Sequence, residues 1–329
     1  MLSDGVNLMP NRVLVTGANG FVGKSLCLEL LRQGYGVRGA IRGRDKRALN
    51  VETVSIGHIN SATTWTEALS GVDVIIHLAA RVHVMKEIST DGGLAEFRKV
   101  NVEGTLNLAR QAVELGIKRF IFISSIKVNG EETSSGAPYT AEDKPAPVDA
   151  YGVSKREAED ALRQLANETG IEVVIIRPPL IYGPGVKANF HSMMRYLDKS
   201  IPLPLGAIQN QRSLVALDNM IDLIITCTHH PAAINQTFLV SDGEDVSTTV
   251  LLKRMAKALG KKAWLIPVPG AVIKRSAYLI GKQAIAQRLC GSLQVDISKT
   301  RELLDWTPPV KIDEALLNTA KFYKNVLHE

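Results

Sequence analysis

The most constraining feature of the sequence is a glycine-rich turn between an apolar run and a segment with helical spacing. The run Arg12–Thr16 (RVLVT) predicts a buried strand, and Leu26–Gln33 predicts a helix. Between them Gly17, Gly20 and Gly23 form a GxxGxxG pattern. Glycines let a backbone approach a pyrophosphate, and a helix N-terminus supplies unpaired N–H groups. The predicted dinucleotide-binding loop comprises Gly17, Asn19, Gly20, Phe21, Val22 and Gly23.

Apolar strands continue to alternate with helices through the first half of the chain. Further strands are predicted at Gly36–Ile41, Val72–Leu78, Arg119–Ser124 and Val173–Arg177, and further helices at Val102–Leu115 and Lys155–Thr169. Continuous apolar strands between helices indicate a parallel sheet covered on both faces, with right-handed crossovers. The fold class is therefore predicted to be α/β, a doubly wound parallel Rossmann sheet with a smaller mixed α/β C-terminal substrate lobe.

The alternation of predicted strands and helices ends after Arg177, where prolines interrupt it. We expect residues 11–178 to form the dinucleotide-binding domain and residues 179–329 to form the second lobe. Thr237–Ser241 (TFLVS), near 237–241, reads as a strand that returns to the main sheet.

Composition excludes several classes of protein. The 39 basic and 33 acidic residues are interspersed, so the net charge of +6 suits an anionic small molecule better than nucleic acid. Three cysteines without a CxxC pair argue against a disulfide framework, and no cluster has the spacing of a metal site. With neither a run of about 18 apolar residues nor a secretory signal pattern, a cytoplasmic protein is expected.

The end of the second strand bears on the choice of cofactor. A dinucleotide with a free 2′-hydroxyl usually meets a carboxylate about 20 residues after the glycines. Here the strand ends Ile41-Arg42-Gly43-Arg44. A guanidinium can pair with a 2′-phosphate, so Arg42 and Arg44 favour NADP over NAD. The alternative is two solvated loop arginines.

Tyr151 and Lys155 form a YxxxK pair, spaced by about one helical turn. A nearby ammonium stabilises a phenolate, which makes Tyr151 a candidate acid/base. A predicted strand ends at Ser124-Ser125, at the carboxyl edge of the sheet where ligands bind. A serine hydroxyl there can donate to a developing alkoxide.

Several motifs occur together in a characteristic order: TGANGFVG, Leu78-Ala79-Ala80, NVEGT from Asn101, the serine strand end, YxxxK, and RPPLIYGPG from Arg177. Over nearly its whole length the chain resembles the extended short-chain dehydrogenase/reductase family, in its nucleotide-sugar epimerase and dehydratase group. The resemblance implies a bound NAD(P) and a C-terminal lobe that binds a sugar nucleotide.

The resemblance also implies roles for individual residues. Tyr151 is the acid/base, Lys155 orients it and holds the nicotinamide ribose, and Ser125 takes the serine role. Asn129 stands where the family has an aromatic residue, and His58 where it has an aspartate near the adenine. Further cofactor residues implied by position are Ile59, Leu78, Ala79, Ala80, Asn101 and Pro178. The candidate substrate residues are Arg81, His83, Ser125, Asn189 and Arg212, the last with an interlobe salt bridge as alternative.

Departures from the family pattern reduce the number of reactions that the chain is expected to catalyse. The dehydratases carry Asp-Glu after the serine or threonine, whereas Ile126 and Lys127 stand here, so dehydration is disfavoured. Lys127 either faces substrate or is solvated. Two reactions remain near parity: 4-epimerisation of a UDP-hexose or UDP-N-acetylhexosamine, and NADPH-dependent reduction of a UDP-4-keto-(6-deoxy)hexosamine. A non-catalytic NADP-binding regulator is a remote third. The family also implies a homodimer.

The segment Ala271–Cys290 is apolar with basic residues at intervals. We expect a helix that covers the nucleotide pocket; the alternative is contact with a membrane surface or an anionic partner.

Overall fold

The computed structural model describes residues 12–43, 50–82, 92–134 and 136–328. The strands in chain order are β1 Arg12–Thr16, β2 Gly36–Ile41, β3 Glu52–Ser55, β4 Val74–His77, β5 Arg119–Ile123, β6 Glu172–Arg177, β7 Leu180–Tyr182, β8 Arg212–Ala216, β9 Thr237–Leu239 and β10 Asp245–Val246. The α-helices are α1 Phe21–Arg32, α2 Thr66–Leu69, α3 Gly92–Arg98, α4 Thr105–Glu114, α5 Ala150–Thr169, α6 Ala188–Asp198, α7 Leu217–His229, α8 Thr248–Ala258, α9 Gly270–Leu279, α10 Gln283–Cys290, α11 Ser298–Leu304 and α12 Ile312–His328.

Within the described residues, the main sheet has seven strands in the order β3-β2-β1-β4-β5-β6-β9, all parallel. Side chains alternate between its faces. Val13 and Val15 pack in a core with α1 and α7, whereas Leu14 packs in a second core with α4 and α5. The predicted fold class, with a sheet covered on both faces, is confirmed.

The second lobe contains, in the described part of the chain, a sheet of three strands in the order β10-β8-β7. Around it lies a third core that includes Phe190 and Met194 of α6 and Leu252 of α8. β9 follows β7 and β8 in the sequence, but it pairs with β6 of the main sheet. The chain therefore crosses between the two sheets more than once.

Three helices begin or end differently from the prediction. α1 begins at Phe21, directly in the glycine loop, and α5 begins at Ala150, so Tyr151 lies in its first turn. The helix predicted from Val102 begins only at Thr105, because Val102 lies in a π-helical turn, Lys99–Gly104. The segment Ala271–Cys290 forms two helices rather than one, because Gly281 adopts a left-handed φ of 67° between α9 and α10.

Candidate active site

The glycine loop joins β1 to α1 and leaves the start of that helix open. Gly17 has a φ of 67°, and a Cβ there would lie 3.0 Å from a backbone nitrogen of the loop after β4. A Cβ on Gly23 would lie 2.3 Å from the Gly17 carbonyl oxygen, so glycine is required for this close approach. Gly20 precedes the helix without a side chain to cap it. The N–H groups of Phe21 and Val22 are thus placed to receive an anion, which fits the pyrophosphate of a dinucleotide.

Arg42 follows β2 at the same edge of the sheet. Its side chain is exposed, and the Ala18 N–H donates to the Ala40 carbonyl at 3.5 Å, so the glycine loop contacts this strand end. The residue that follows β2 is therefore an exposed arginine rather than a carboxylate, and its contact with a cofactor stays a prediction. Arg44 lies outside the described residues.

His77 ends β4 in a buried hydrogen-bond network. Its Nδ1 lies 2.7 Å from Thr16 Oγ1 and its Nε2 lies 2.9 Å from Thr105 Oγ1. Thr16 Oγ1 also accepts the N–H of Ala79 at 3.1 Å. Burial and then the charge of Lys155 lower the pKa of His77 to about 3, so the imidazole is neutral. The loop fixed in this way contains three predicted cofactor residues, Leu78, Ala79 and Ala80.

Asn101, in the π-helical turn, connects this loop to α5. Its Oδ1 accepts the N–H of Arg81 at 2.8 Å, and its Nδ2 donates to the Arg81 carbonyl and to Ser154 Oγ, each at 3.0 Å. The side chain is buried and its amide is engaged by protein atoms. Asn101 therefore fixes two walls of the site, and its contact with cofactor stays a prediction. Ile59 packs against Gly104 nearby, and His83 lies outside the described residues.

Tyr151 and Ser125 lie close enough for the serine side chain to act on the pKa of the phenol. Ser125 follows β5, and Asp149, which caps α5 by accepting the Gly152 N–H at 2.7 Å, places Tyr151 in the first turn. Burial and then the charge of Asp149 raise the pKa of Tyr151 to about 12, whereas the neighbouring Ser125 side chain lowers it. Without an added positive charge, Tyr151 is therefore a proton donor at neutral pH.

Lys127, whose role the sequence leaves open, pairs with two carboxylates. Its ammonium pairs with the Asp149 carboxylate and lies 3.0 Å from Glu131 Oε1. The lysine offsets part of the negative charge beside Tyr151 and stabilises the cap of α5.

Lys155 lies one turn after Tyr151 on the same face of α5. It is 1% exposed, and its Nζ lies 4.1 Å from the centroid of the Phe122 ring. Burial lowers the pKa of Lys155 to about 7, although the charge of Glu159 raises it. Within the described part of the chain no ion pair joins Lys155 to a carboxylate, which leaves its ammonium available to a ligand.

A buried ion pair lies one further turn along α5. Arg177 Nε and Nη2 donate to Glu159 Oε1 and Oε2 at 2.9 and 2.6 Å, and both side chains are almost fully buried. Ser124 donates to Glu159 at 2.6 Å, and Asn129 accepts from Arg177 at 3.0 Å. The network joins the ends of β5 and β6 to α5. Ile126 N–H also donates to the carbonyl of the predicted cofactor residue Pro178 at 3.0 Å.

The candidate substrate residues of the second lobe lie on β8 and α6. Arg212 Nη1 donates to the Gly291 carbonyl at 3.1 Å; burial lowers its pKa, and the charge of Glu132 raises it. In the described residues no carboxylate forms an ion pair with Arg212, in keeping with a guanidinium that binds an anionic ligand. Asn189 is exposed in the first turn of α6.

A cavity of about 550 Å³ adjoins the glycine loop. Asn19, Gly20 and Phe21 line it together with residues of α6 and α12, such as His191 and Tyr323. Ser125, Tyr151 and Lys155 do not line it. The candidate catalytic residues therefore lie outside the lining of this cavity.

The described residues offer neither a metal site nor a membrane-spanning helix. These residues contain no group of three or more His, Cys, Asp or Glu side chains arranged to hold a metal ion. No helix in the same ranges has both the length and the apolarity needed to cross a bilayer. Cys27 and Cys227 are buried thiols, and burial raises the pKa of each to about 12.

A dinucleotide loop and a Tyr–Lys pair at the carboxyl edge of such a sheet define an enzyme of the extended short-chain dehydrogenase/reductase type. The chain belongs to the NAD dependent epimerase/dehydratase family, whose profile matches residues 13–241. The resemblance inferred from the motifs is thereby confirmed.

Two relatives indicate how broad this family is. A UDP-glucose 4-epimerase from Vibrio cholerae is 50% identical over 320 residues, which cover 96% of each chain. A 3-beta-hydroxysteroid dehydrogenase from Mycolicibacterium neoaurum is 28% identical over 349 residues, covering 96% of this chain and 92% of the relative. Among solved structures, a UDP-glucuronic acid 4-epimerase from Bacillus cereus in complex with NAD has a TM-score of 0.77 at 22% identity, covering 96% of this chain and 99% of the other. At that identity the structural match supports the fold alone.

Sequence reasoning missed the residues that support the candidate catalytic group. Asp149 carries a signal, since an aspartate directly before a helix is a preferred N-cap. The Glu159–Arg177 and Lys127–Asp149 pairs carry none, because their members are 18 and 22 residues apart in sequence.

Proposed function

We propose that the protein is a UDP-sugar 4-epimerase that acts at C4 of a UDP-hexose or UDP-N-acetylhexosamine. The observation that carries the proposal is Tyr151 in the first turn of α5, with the buried Lys155 one turn further along the helix and Ser125 close enough to lower the pKa of Tyr151. The 50% identity to a UDP-glucose 4-epimerase over 96% of the chain supports the substrate class.

The residues proposed to hold NAD(P) are those at the carboxyl edge of the sheet. They are Gly17, Asn19, Gly20, Phe21, Val22, Gly23, Arg42, Ile59, Leu78, Ala79, Ala80, Asn101, Tyr151, Lys155 and Pro178. When bound there, the nicotinamide would supply reversible hydride transfer at C4 of the sugar.

Tyr151 removes the proton from the 4-hydroxyl and returns it to the 4-keto sugar. With a pKa near 12, Tyr151 needs nearby positive charge to act as a base at neutral pH. The Lys155 ammonium supplies part of that charge and binds the nicotinamide ribose. Ser125 donates to the sugar O4, where negative charge develops. For the diphosphate we propose Arg212 and Asn189, and for the sugar Arg81 and His83.

A second candidate function is the NADPH-dependent reduction of a UDP-4-keto-(6-deoxy)hexosamine by the same three side chains. The observation that favours it is Arg42, an exposed guanidinium at the end of β2 where a carboxylate would otherwise hold a free 2′-hydroxyl. We accordingly propose a preference for NADP over NAD.

One experiment separates the two reactions. Purified protein is incubated with UDP-glucose, UDP-N-acetylglucosamine and a UDP-4-keto sugar, with and without NADPH, and sugars and cofactor are followed. Conversion between C4 epimers without net cofactor consumption supports the epimerase. Stoichiometric loss of NADPH with the keto sugar, and no epimerisation, supports the reductase instead.

Three further expectations remain proposals. We propose a homodimer, which light scattering can test, and a cytoplasmic location, which cell fractionation can test. The division into a domain of residues 11–178 and a lobe of residues 179–329 places the boundary between β6 and β7.

A further inference from the structure

One long segment of the chain carries only positive charge. Residues 246–295 contain no aspartate or glutamate. They contain nine basic residues, which leaves 30 basic and 33 acidic residues in the rest of the chain. The nine are Lys253, Arg254, Lys257, Lys261, Lys262, Lys274, Arg275, Lys282 and Arg288. The positive net charge of the protein is therefore produced by this segment alone.

The same segment exposes large apolar side chains at the turn between α9 and α10. Tyr278, Leu279 and Ile280 are consecutive and are 69%, 79% and 66% exposed. Three adjacent apolar residues exposed to this degree form a projecting apolar tip rather than part of the core.

The strand-like segment before α9 adds an aromatic residue. Trp264 and Ile266 are 59% and 51% exposed, whereas Leu265 between them packs against the core of the second lobe. Backbone hydrogen bonds from Leu203 to Trp264 and from Ile266 to Leu203 hold this alternation in place. The exposed side chains are therefore presented by an ordered backbone.

Basic and apolar residues share the exposed stripes of both helices. On α9, Val272, Arg275 and Leu279 follow one another at spacings of three and four residues, and all three are exposed. Along α10, Lys282, Ile285 and Arg288 repeat this pattern and are also exposed. The buried stripe of α9 is Ile273 and Ala277, and that of α10 is Ala286 and Leu289.

We define the docking face as the exposed residues of 272–288, and we propose that it docks on an anionic phospholipid bilayer. Interfacial helices combine a basic stripe with Trp, Tyr and Leu side chains that enter the headgroup region. Lys274, Arg275, Lys282 and Arg288 form no ion pair with any described residue, so phosphate groups can neutralise them. A second copy of the chain would present the same positive face and be repelled. A projecting tip, moreover, suits insertion between headgroups better than it suits a partner's groove.

The test is sedimentation of the full-length protein with vesicles of phosphatidylcholine alone or with about one third phosphatidylglycerol, at low and at high salt. We expect binding to the anionic vesicles only, weakened by salt. Lys274→Glu/Arg275→Glu should weaken binding at least about tenfold, because each basic residue near an anionic surface contributes roughly a factor of five. Leu279→Ser/Ile280→Ser should weaken it by a similar factor without abolishing the salt dependence.

Matched controls are Lys321→Glu/Lys324→Glu on α12 and Leu28→Ser/Leu115→Ser, whose side chains are exposed on other surfaces. Both should bind as the wild type does. Thermal unfolding of each variant establishes that it is folded. Equal binding to both vesicle types, or binding unaffected by the docking-face variants, overturns the proposal. Absence of vesicle binding also overturns the proposal. The same holds if light scattering shows self-association, or binding to an acidic protein, and the docking-face variants abolish that association in place of vesicle binding. None of these readouts depends on epimerase or reductase activity.

Discussion

The Nζ atom of Lys155 lies 4.1 Å from the centroid of the Phe122 ring, in a position where the lysine is only 1% exposed. The negative face of the ring attracts the ammonium, but it does not replace the water lost on burial. The pKa of Lys155 falls to about 7 as a result. The cofactor-free protein thus holds a lysine that is close to half protonated at neutral pH.

This shift predicts that the cofactor-free protein becomes more stable as the pH rises from about 7. The folded-state pKa of Lys155 lies below its unfolded value of 10.5, so the unfolded chain binds more protons between the two values. The rise is at most about 1.4 kcal/mol per pH unit. Urea unfolding at about pH 7, 8 and 9 measures it, and Lys155→Met should flatten the dependence. Above pH 9 the buried thiols Cys27 and Cys227, whose pKa values are raised to about 12, act in the opposite direction. An identical slope in the variant would show that Lys155 keeps an ordinary pKa.

Tyr151→Phe should lower turnover at least about a hundredfold, the low end for loss of an acid/base group. The ring and its edge contact with Phe97 are kept, so cofactor binding should change little. Steady-state kinetics and a fluorescence titration of NAD(P)H measure the two effects. Tyr196→Phe, on the surface of α6, is the matched control and should be active. Near-normal turnover in folded Tyr151→Phe would remove Tyr151 from the mechanism.

Arg42→Ala should weaken NADPH binding about tenfold or more and leave NADH binding nearly unchanged. One or two charge-assisted hydrogen bonds to a 2′-phosphate, at roughly 1.5–3 kcal/mol each, account for that size. High salt should narrow the difference because Arg42 is exposed. The exposed Arg110 on α4 supplies the control Arg110→Ala. If the wild type binds NADH and NADPH equally in a fluorescence titration, the main support for the reductase is lost.

Arg212→Ala should raise the KM for the sugar nucleotide more than it lowers kcat, because a diphosphate contact acts in the ground state and the transition state alike. The measurement is a substrate titration for the variant and the wild type. An unchanged KM would show that Arg212 only supports the Gly291 carbonyl it already contacts.

Glu159→Gln should destabilise the protein by about 3–5 kcal/mol, because it leaves the Arg177 guanidinium buried without a counter-charge. Glu157→Gln is the matched control: Glu157 pairs with Arg98 on the surface, where such pairs contribute about 1 kcal/mol or less. Urea unfolding compares the two variants. Equal losses in both would mean that burial does not set the strength of the Glu159–Arg177 pair.

The sequence predicts the parts of the fold that depend on local pattern. Apolar runs such as Arg119–Ser124 identify the buried strands because parallel strands are covered on both faces. The glycine spacing locates the loop because only glycine tolerates the approach seen at Gly23. The short strands β7, β8 and β10 carry no such pattern, since their pairing depends on tertiary contacts.

The same distinction between local sequence pattern and tertiary contact applies to the candidate site. Ser125, Tyr151 and Lys155 belong to recognisable motifs, and the structure brings Ser125 and Tyr151 into contact. The expectation that Ala271–Cys290 forms one helix was wrong, because Gly281 interrupts it. Ile273 and Leu289 still pack against the core of the second lobe, and the covering of the nucleotide pocket by this segment stays a prediction.

The return of β9 to the edge of the main sheet limits how such proteins can exchange specificity. A single recombination point after Pro178 would combine β1–β6 of one parent protein with β9 of another. The β6–β9 register, which pairs Ile175 with Thr237 and Arg177 with Leu239, would then no longer be matched by selection. A chimera that imports only a new substrate pocket needs crossovers on both sides of Thr237–Leu239. Directed shuffling of these enzymes should therefore recover functional hybrids far more often from paired breakpoints than from single ones.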